Sequence, residues 1–304
     1  MEPIKDFGSL MEKFRSMPKP KRVAVVCPDD EPSVEMLEHC LAQQLASFLL
    51  ITKGDGAEHA QKFASRYPDA VTVYEMSDVD EAAAKGVELV REGHADVLMK
   101  GNINTDNLLR AVLNRDCGLL PQGQVMSHVT VTEIPEFNRL LIFSDAAVIP
   151  APNYDQLLSM IAYDAEVAHA LGIEVPRVAL IHFSEKVNPK FSHTTDYLRL
   201  KELAANGGLG NVEIDGPMDV KSACDAHSAA IKGMASAVTG HADVLIFPNL
   251  EAGNTFYKTI SCFCKARMAG VLTGTSAPVV IPSRADAPES KLYSMALACV
   301  MAGK

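Results

Sequence analysis

Residues Arg22–Ile51 read RVAVVCPDDEPSVEMLEHCLAQQLASFLLI. An unbroken apolar run, Arg22–Cys27, stops at Pro28 and two aspartates. Pro32–Leu45 follows with apolar residues every three or four positions, and a second apolar run, Ser47–Ile51, comes directly after it. Continuous apolar strands are buried on both faces, which is characteristic of parallel sheets, and parallel neighbours need a crossover helix. The stretch therefore predicts a β-α-β unit. The alternation continues through Asp55–Arg66, Val71–Tyr74, Asp80–Arg91, Asp96–Met99 and Asn104–Asn114. This predicts an α/β fold of mostly parallel sheets with helices on both faces.

The texture then changes. Val125–Thr132 and Arg139–Phe143 are β-rich runs separated by EIPEFN and read as a hairpin or meander. The alternation restarts with helix Tyr154–Leu171, strand Arg177–Ile181, helix Thr194–Asn206, strand Val212–Ile214, helix His227–Thr239, strand Asp243–Phe247 and helix Gly253–Met268. The diproline segment Ile149–Asn153 cannot continue a helix or central strand and is placed as a boundary between two lobes. A closing strand, Ala277–Ile281, and helix, Glu289–Met301, complete the chain, and periodicity leaves open which lobe they join.

Two lobes suit the length, since single cores stop growing near roughly 250–300 residues and the chain has 304. A cleft between them is the expected place for a ligand. Thirty-eight acidic against 28 basic residues leave a formal charge of −10, which opposes general attraction to nucleic acid or an anionic membrane. No apolar run approaches the roughly 18 residues of a membrane span, and no secretory leader is evident. The seven scattered cysteines read as reduced core residues of a cytoplasmic protein. No acidic cage or His-x-x-x-His pattern points to a metal.

Three strand-to-helix loops carry chemistry. Lys100-Gly-Asn-Ile-Asn-Thr-Asp-Asn-Leu-Leu-Arg110 follows strand DVLMK, so backbone N–H groups and a helix N-terminus would stand at the carboxyl edge of the sheet, with Arg110 able to reach the same anion. An ordinary capped helix with a surface arginine fits the spacing as well. Phe247-Pro-Asn-Leu-Glu-Ala-Gly-Asn-Thr-Phe-Tyr-Lys258 repeats the arrangement, with Asn249, Gly253 and Asn254 in the turn and Lys258 a turn later. In Ile281-Pro-Ser-Arg-Ala-Asp-Ala-Pro-Glu289, Ser283, Arg284 and Asp286 bring a hydroxyl, a phosphate-matching guanidinium and a carboxylate together, or supply helix caps. Ser127-His128 lies in a β run, where His128 reads as a satisfied core or edge residue.

These segments together resemble the phosphate acetyl/butyryltransferase family from about Arg22 to the end. The most specific match is FP-x-LEAGN-x-x-YK at Phe247–Lys258. KGNINTDNLLRAV, SDAAVIPAPN, KVNPKF, DGPMDVKSA and the SRAD stretch stand beside it, the later pieces more like butyryl than acetyl enzymes. The resemblance implies the two-lobe fold of isocitrate and isopropylmalate dehydrogenases, with lobes at 1–148 plus 275–304 and at 149–274. It implies reversible acyl transfer between coenzyme A and phosphate, with CoA a substrate and no cofactor or metal, and homo-oligomeric assembly. Ser283 would donate to the reacting centre, Arg284 would hold phosphate or CoA, and Arg110 and Ser127 would contact phosphate. Lys100, Asn102, Thr105, Asn249, Gly253, Asn254 and Lys258 would line the site. The acetyl enzymes' aspartate seven residues after the serine is here Ser290, which leaves Asp286 or Glu289 as the base, Asp286 first, or activation of the thiol by positive surroundings alone. A catalytically silent CoA-binding homologue and an acetyl-specific enzyme are the competing readings. A metal-dependent decarboxylase of the same fold lacks its carboxylate cluster.

Overall fold

A computed structural model describes residues 2–54, 56–282 and 288–303. After α1 (Phe7–Arg15) come β1 (Lys21–Val26), α2 (Glu31–Ala42), β2 (Ala46–Lys53), α3 (Gly56–Arg66), β3 (Val71–Met76), α4 (Val79–Arg91), β4 (Val97–Lys100) and α5 (Thr105–Val112). These four strands are parallel neighbours in the order β3-β2-β1-β4. Val23, Ala24, Val25 and Val26 are all wholly buried. Consecutive strand residues point to opposite faces, so both faces of β1 are covered, as its unbroken apolar run requires.

The predicted hairpin is β5 (Ser127–Glu133) with β6 (Leu141–Ser144), antiparallel with Thr130 opposite Phe143. Then follow α6 (Tyr154–Ala170), β7 (Arg177–Ile181), α7 (Ser192–Ala205), β8 (Glu213–Met218), α8 (Val220–Cys224), α9 (Ala226–Ile231), β9 (Val244–Ile246), α10 (Leu250–Phe263), β10 (Arg267–Thr273), β11 (Val279–Val280) and α11 (Pro288–Met301). Two expected helices are shorter than periodicity predicts. The stretch read as His227–Thr239 is helical only in α9, Ala226–Ile231, which Asp225 caps by accepting from the His227 and Ser228 N–H groups and which ends shortly before Gly233 at φ +70°. The helix read as reaching Met268 stops at Phe263, and Lys265 takes φ +50° before β10 begins.

By contacts the chain divides into residues 1–7 with 127–268, and 8–126 with 269–304. The division falls at Ser127 and not at Ile149–Asn153, because β6 pairs in parallel with β9, Ile142 opposite Val244, and thereby ties the hairpin to the later strands. The diproline segment instead leads into α6, where Asn153 and Gln156 form a reciprocal capping box. In the second of these units the strand order is β3-β2-β1-β4-β11-β10, with β10 antiparallel to β11. In the first it is β5-β6-β9-β7-β8, with β6, β9, β7 and β8 parallel. Phe143 anchors that unit's core, its ring edge-on to Phe256 at 5.1 Å and to Phe247 at 6.1 Å. Cys27, Cys40 and Cys299 are buried as expected, but Cys117, Cys262 and Cys264 are exposed: Cys117 lies beyond α5 and the other two at the end of α10.

α11 is held to the start of α2 and to β10 by polar contacts. Lys291, 7% exposed, donates to Ser33 Oγ at 2.9 Å and pairs with Asp30, the N-cap of α2, while Ser294 Oγ accepts from Gly270 N at 2.9 Å. Burial raises the Asp30 pKa, but bonds from Lys291 and Ser33 outweigh it and hold the carboxyl below its ordinary value. A depressed carboxylate contributes stability above the unfolded-state pKa of about 3.9 and loses it as pH falls through the native value. Lys291→Met should therefore cost about 2–3 kcal/mol at pH 7 by urea unfolding, with the deficit shrinking below about pH 4.

Candidate active site

The sheet of residues 8–126 and 269–304 reverses its strand order between β1 and β4, the kind of place where open α/β sheets bind ligands. Here the chain leaving β4 runs against the end of β1. Gly101 N donates to Val26 O at 2.9 Å and Asn102 N to Cys27 O at 2.5 Å. A Cβ on Gly101 would lie 2.2 Å from Cys27 O, so no larger residue fits without moving backbone. Lys100 is 4% exposed and donates to Gly101 O at 3.2 Å. Asn102 and Thr105 are exposed, with Thr105 opening α5, and Asn104 sits at the N-cap without a side-chain capping bond. Asn107, in the first turn of α5, donates to Asp80 Oδ1 at 2.6 Å, and Arg110 faces the same oxygen. Arg110 lies in the last turn of α5, largely exposed, 3.8 Å from Asp80. A solvent-exposed pair at that distance is worth less than about 1 kcal/mol, so Arg110 can readily exchange partners.

In the other unit, the segments Ser144–Asn153 and Phe247–Lys258 are stitched together. Phe247 N donates to Ser144 O at 2.8 Å, Leu250 N to Pro150 O at 2.9 Å, and Asn254 Nδ2 to Ala146 O at 2.9 Å. Gly253 packs so closely that a Cβ would fall 2.1 Å from Asp145 O. Asn249 caps α10, its Oδ1 accepting from Ala252 N at 2.9 Å. Lys258 is exposed, its ammonium 4.7 Å from the Tyr257 ring.

The organising group is Asp145, which sequence reasoning did not single out. It is 2% exposed. Its Oδ2 accepts from Ser127 Oγ and His128 N, both at 2.9 Å, and its Oδ1 from Ala147 N at 2.7 Å and Val148 N at 2.8 Å. Ser127, expected to touch phosphate, is wholly buried, and its hydroxyl donates to Asp145. The available signal was an aspartate directly after the apolar strand LIFS, inside a motif already noted. Ser283, Arg284 and Asp286 lie outside the described residues. Among the described residues no group of three or more His, Cys, Asp or Glu is placed to hold a metal ion, and no helix is long and apolar enough to cross a membrane.

Residues 58–299 match the family described as phosphate acetyl/butaryl transferase. The chain belongs to that family. It is 39% identical over 303 residues to a phosphate butyryltransferase of Clostridium beijerinckii, covering 99% of each chain. It is also 39% identical over 223 residues to a phosphate acetyltransferase of Thermotoga maritima, covering 73% of this chain and 76% of the other. A crystal structure of a branched-chain phosphotransacylase from Enterococcus faecalis superposes with a TM-score of 0.81 at 26% identity, over 93% of this chain and 99% of that one. The α/β architecture read from the sequence is thus that of the phosphotransacylases.

A second acid in this family member lies against the Asp145 strand end. Asp164 of α6 is wholly buried; its Oδ2 accepts from Ser144 Oγ at 2.9 Å, and its Oδ1 has no partner among the described residues. Burial pushes its pKa well above the ordinary carboxylate range, the Ser144 bond opposes this, and the charge of Asp145 adds to it. A raised native pKa contributes stability below the unfolded-state value and loses it as pH rises towards the native one. Asp164→Asn should keep the Ser144 contact, flatten the loss of stability above about pH 4, and raise the urea midpoint at pH 7 relative to wild type. Gly253→Ala must displace Asp145 and should lower stability by about 2–3 kcal/mol in the same assay.

Proposed function

We propose that the chain catalyses reversible acyl transfer between coenzyme A and inorganic phosphate, acyl-CoA + phosphate ⇌ acyl phosphate + CoA, with butyryl or a similar short chain preferred. The observation that carries this reading is the 39% identity spanning 99% of both chains with a phosphate butyryltransferase. A phosphate oxygen attacks the thioester carbonyl carbon, the carbonyl becomes an oxyanion, and collapse expels the CoA thiolate, so no covalent enzyme intermediate is needed. Ser283 donates to the reacting centre and Arg284 holds phosphate, its planar fork matching two oxygens. Asp286 takes the thiol proton when CoA is the nucleophile. The loop Lys100–Thr105, with its open α5 N-terminus, and the cap of α10 at Asn249 supply backbone and amide donors suited to anions. Arg110 and Lys258 are exposed cations available to the phosphates of the substrate. A cytoplasmic homo-oligomer is part of the same proposal.

Acetyl transfer is the second reading, favoured by the equal identity to an acetyltransferase over a shorter span. Phosphate-dependent release of free thiol from acetyl-, propionyl-, butyryl- and isobutyryl-CoA separates the two. The highest kcat/KM is expected with butyryl- or isobutyryl-CoA, and no release from any thioester would remove the enzyme reading. Ser283→Ala should lower kcat about 100-fold or more with CoA binding kept; unchanged turnover would refute that hydroxyl's role.

A further inference from the structure

The chain after β7, His182-Phe-Ser-Glu-Lys-Val-Asn-Pro-Lys-Phe191, closes one side of a cavity of about 400 Å³ whose other side is the start of α10, with Asn249 and Ala252. That volume lies within the range of small-molecule sites, about 300–1,000 Å³. Its wall is aromatic. The Phe183 ring lies 4.2 Å from His182 and 5.3 Å from Phe191, centroid to centroid, and His182 lies 5.0 Å from Phe191. Phe183 is 71% exposed.

Inside this wall is an unmet polar atom. His182 is 5% exposed, and its Nδ1 meets His193 Nε2 at 3.1 Å, while its Nε2 is buried with no partner among the described residues. Burial lowers the pKa of both rings, and the neighbouring His182 lowers that of His193 further against an opposing contribution from Asp196; the net shifts favour the neutral form of each. One proton bridges the two rings. If His193 supplies it, His182 Nε2 is an N–H donor; if His182 supplies it, Nε2 is an acceptor. A ligand that satisfies Nε2 in either case carries both donors and acceptors on a flat ring edge. A purine with an exocyclic amine does; an acyl chain with one carbonyl does not.

The charges around the cavity complete the argument. Lys186 and Lys190 are exposed on the same loop and have no ion pair among the described residues. The nearby carboxylates, Glu185 and Asp219, are both taken by Lys232. The loop thus offers uncommitted positive charge beside an aromatic slot, and the far wall is the α10 cap already placed in the site.

We propose that this cavity receives the adenine of coenzyme A, stacked on Phe183 and Phe191 and hydrogen-bonded to His182 Nε2, with Lys186 and Lys190 meeting its phosphates. The inference rests on the acyltransferase reading and assigns the nucleotide end of its substrate. Phe183 is the movable wall: an exposed ring changes rotamer within nanoseconds and uncovers the imidazole edge.

The test compares butyryl-CoA with butyryl-pantetheine, which lacks the nucleotide. Phe183→Ala should raise KM for butyryl-CoA about tenfold, the scale of one lost base stack, and leave KM for butyryl-pantetheine and phosphate at wild-type values. Phe183→Tyr should restore it. Replacing Lys186 and Lys190 with Ala should raise the same KM and weaken its salt dependence. Equal effects of Phe183→Ala on both thioesters, or on neither, would overturn the proposal. Should the wild type turn over no thioester, the acyltransferase reading fails first. Calorimetric binding of adenosine 3′,5′-bisphosphate, present in wild type and weakened in Phe183→Ala, then still decides the cavity's role.

Discussion

A carboxylate removed from water is costly unless every lone pair finds a donor. Asp145 meets that demand with four bonds, and meeting it organises the unit around it. The donors are the first two residues of β5 and two consecutive N–H groups of the turn after β6. With the turn held, the carbonyls of Ser144, Asp145 and Ala146 face the segment leaving β9. Phe247 N and Asn254 Nδ2 bond to the first and third, and the bare Cα of Gly253 packs against the second. The N-terminus of α10 is therefore aimed by a network whose anchor lies in the turn after a different strand, β6.

Asp164 shows the complementary solution in the same place. Two carboxyl groups close together in a dry interior cannot both stay charged at low cost. The one with four donors is fully bonded; the one with a single bond from Ser144 has its pKa driven well up. Both are almost completely inaccessible, and they differ in how many donors face them, four against one.

Elements whose burial is two-sided or whose helical face is regular were legible in the sequence. RVAVVC, ASFLLI and DVLMK announce buried parallel strands, and the helices between them follow from spacing alone. β10 was not legible. Its run RMAGVLT continues the apolar rhythm of α10, and what ends that helix is the backbone of Lys265 at φ +50°, which no periodicity encodes. The unit boundary was misplaced for a related reason. Prolines at 150 and 152 mark an irregular segment, but only strand pairing shows that β6 belongs with β9. Long-range pairing is likewise what turns Asp145 from a loop residue into an anchor, so the site's support was hidden while its loops were visible.

This division bears on what the most specific motif means. Within FPNLEAGN, Phe247 sits in the core and bonds to Ser144, Asn249 caps a helix, Gly253 is required by a carbonyl 2.1 Å from its missing Cβ, and Asn254 holds Ala146. Each of these residues has a structural duty sufficient to explain its type. A motif so occupied certifies the scaffold, and a homologue that had lost turnover would still need it to fold. Asn249 Nδ2 stands outside these duties: the side chain caps α10 through its oxygen, and its amide nitrogen has no partner among the described residues, so the same residue that fixes the helix keeps a donor uncommitted.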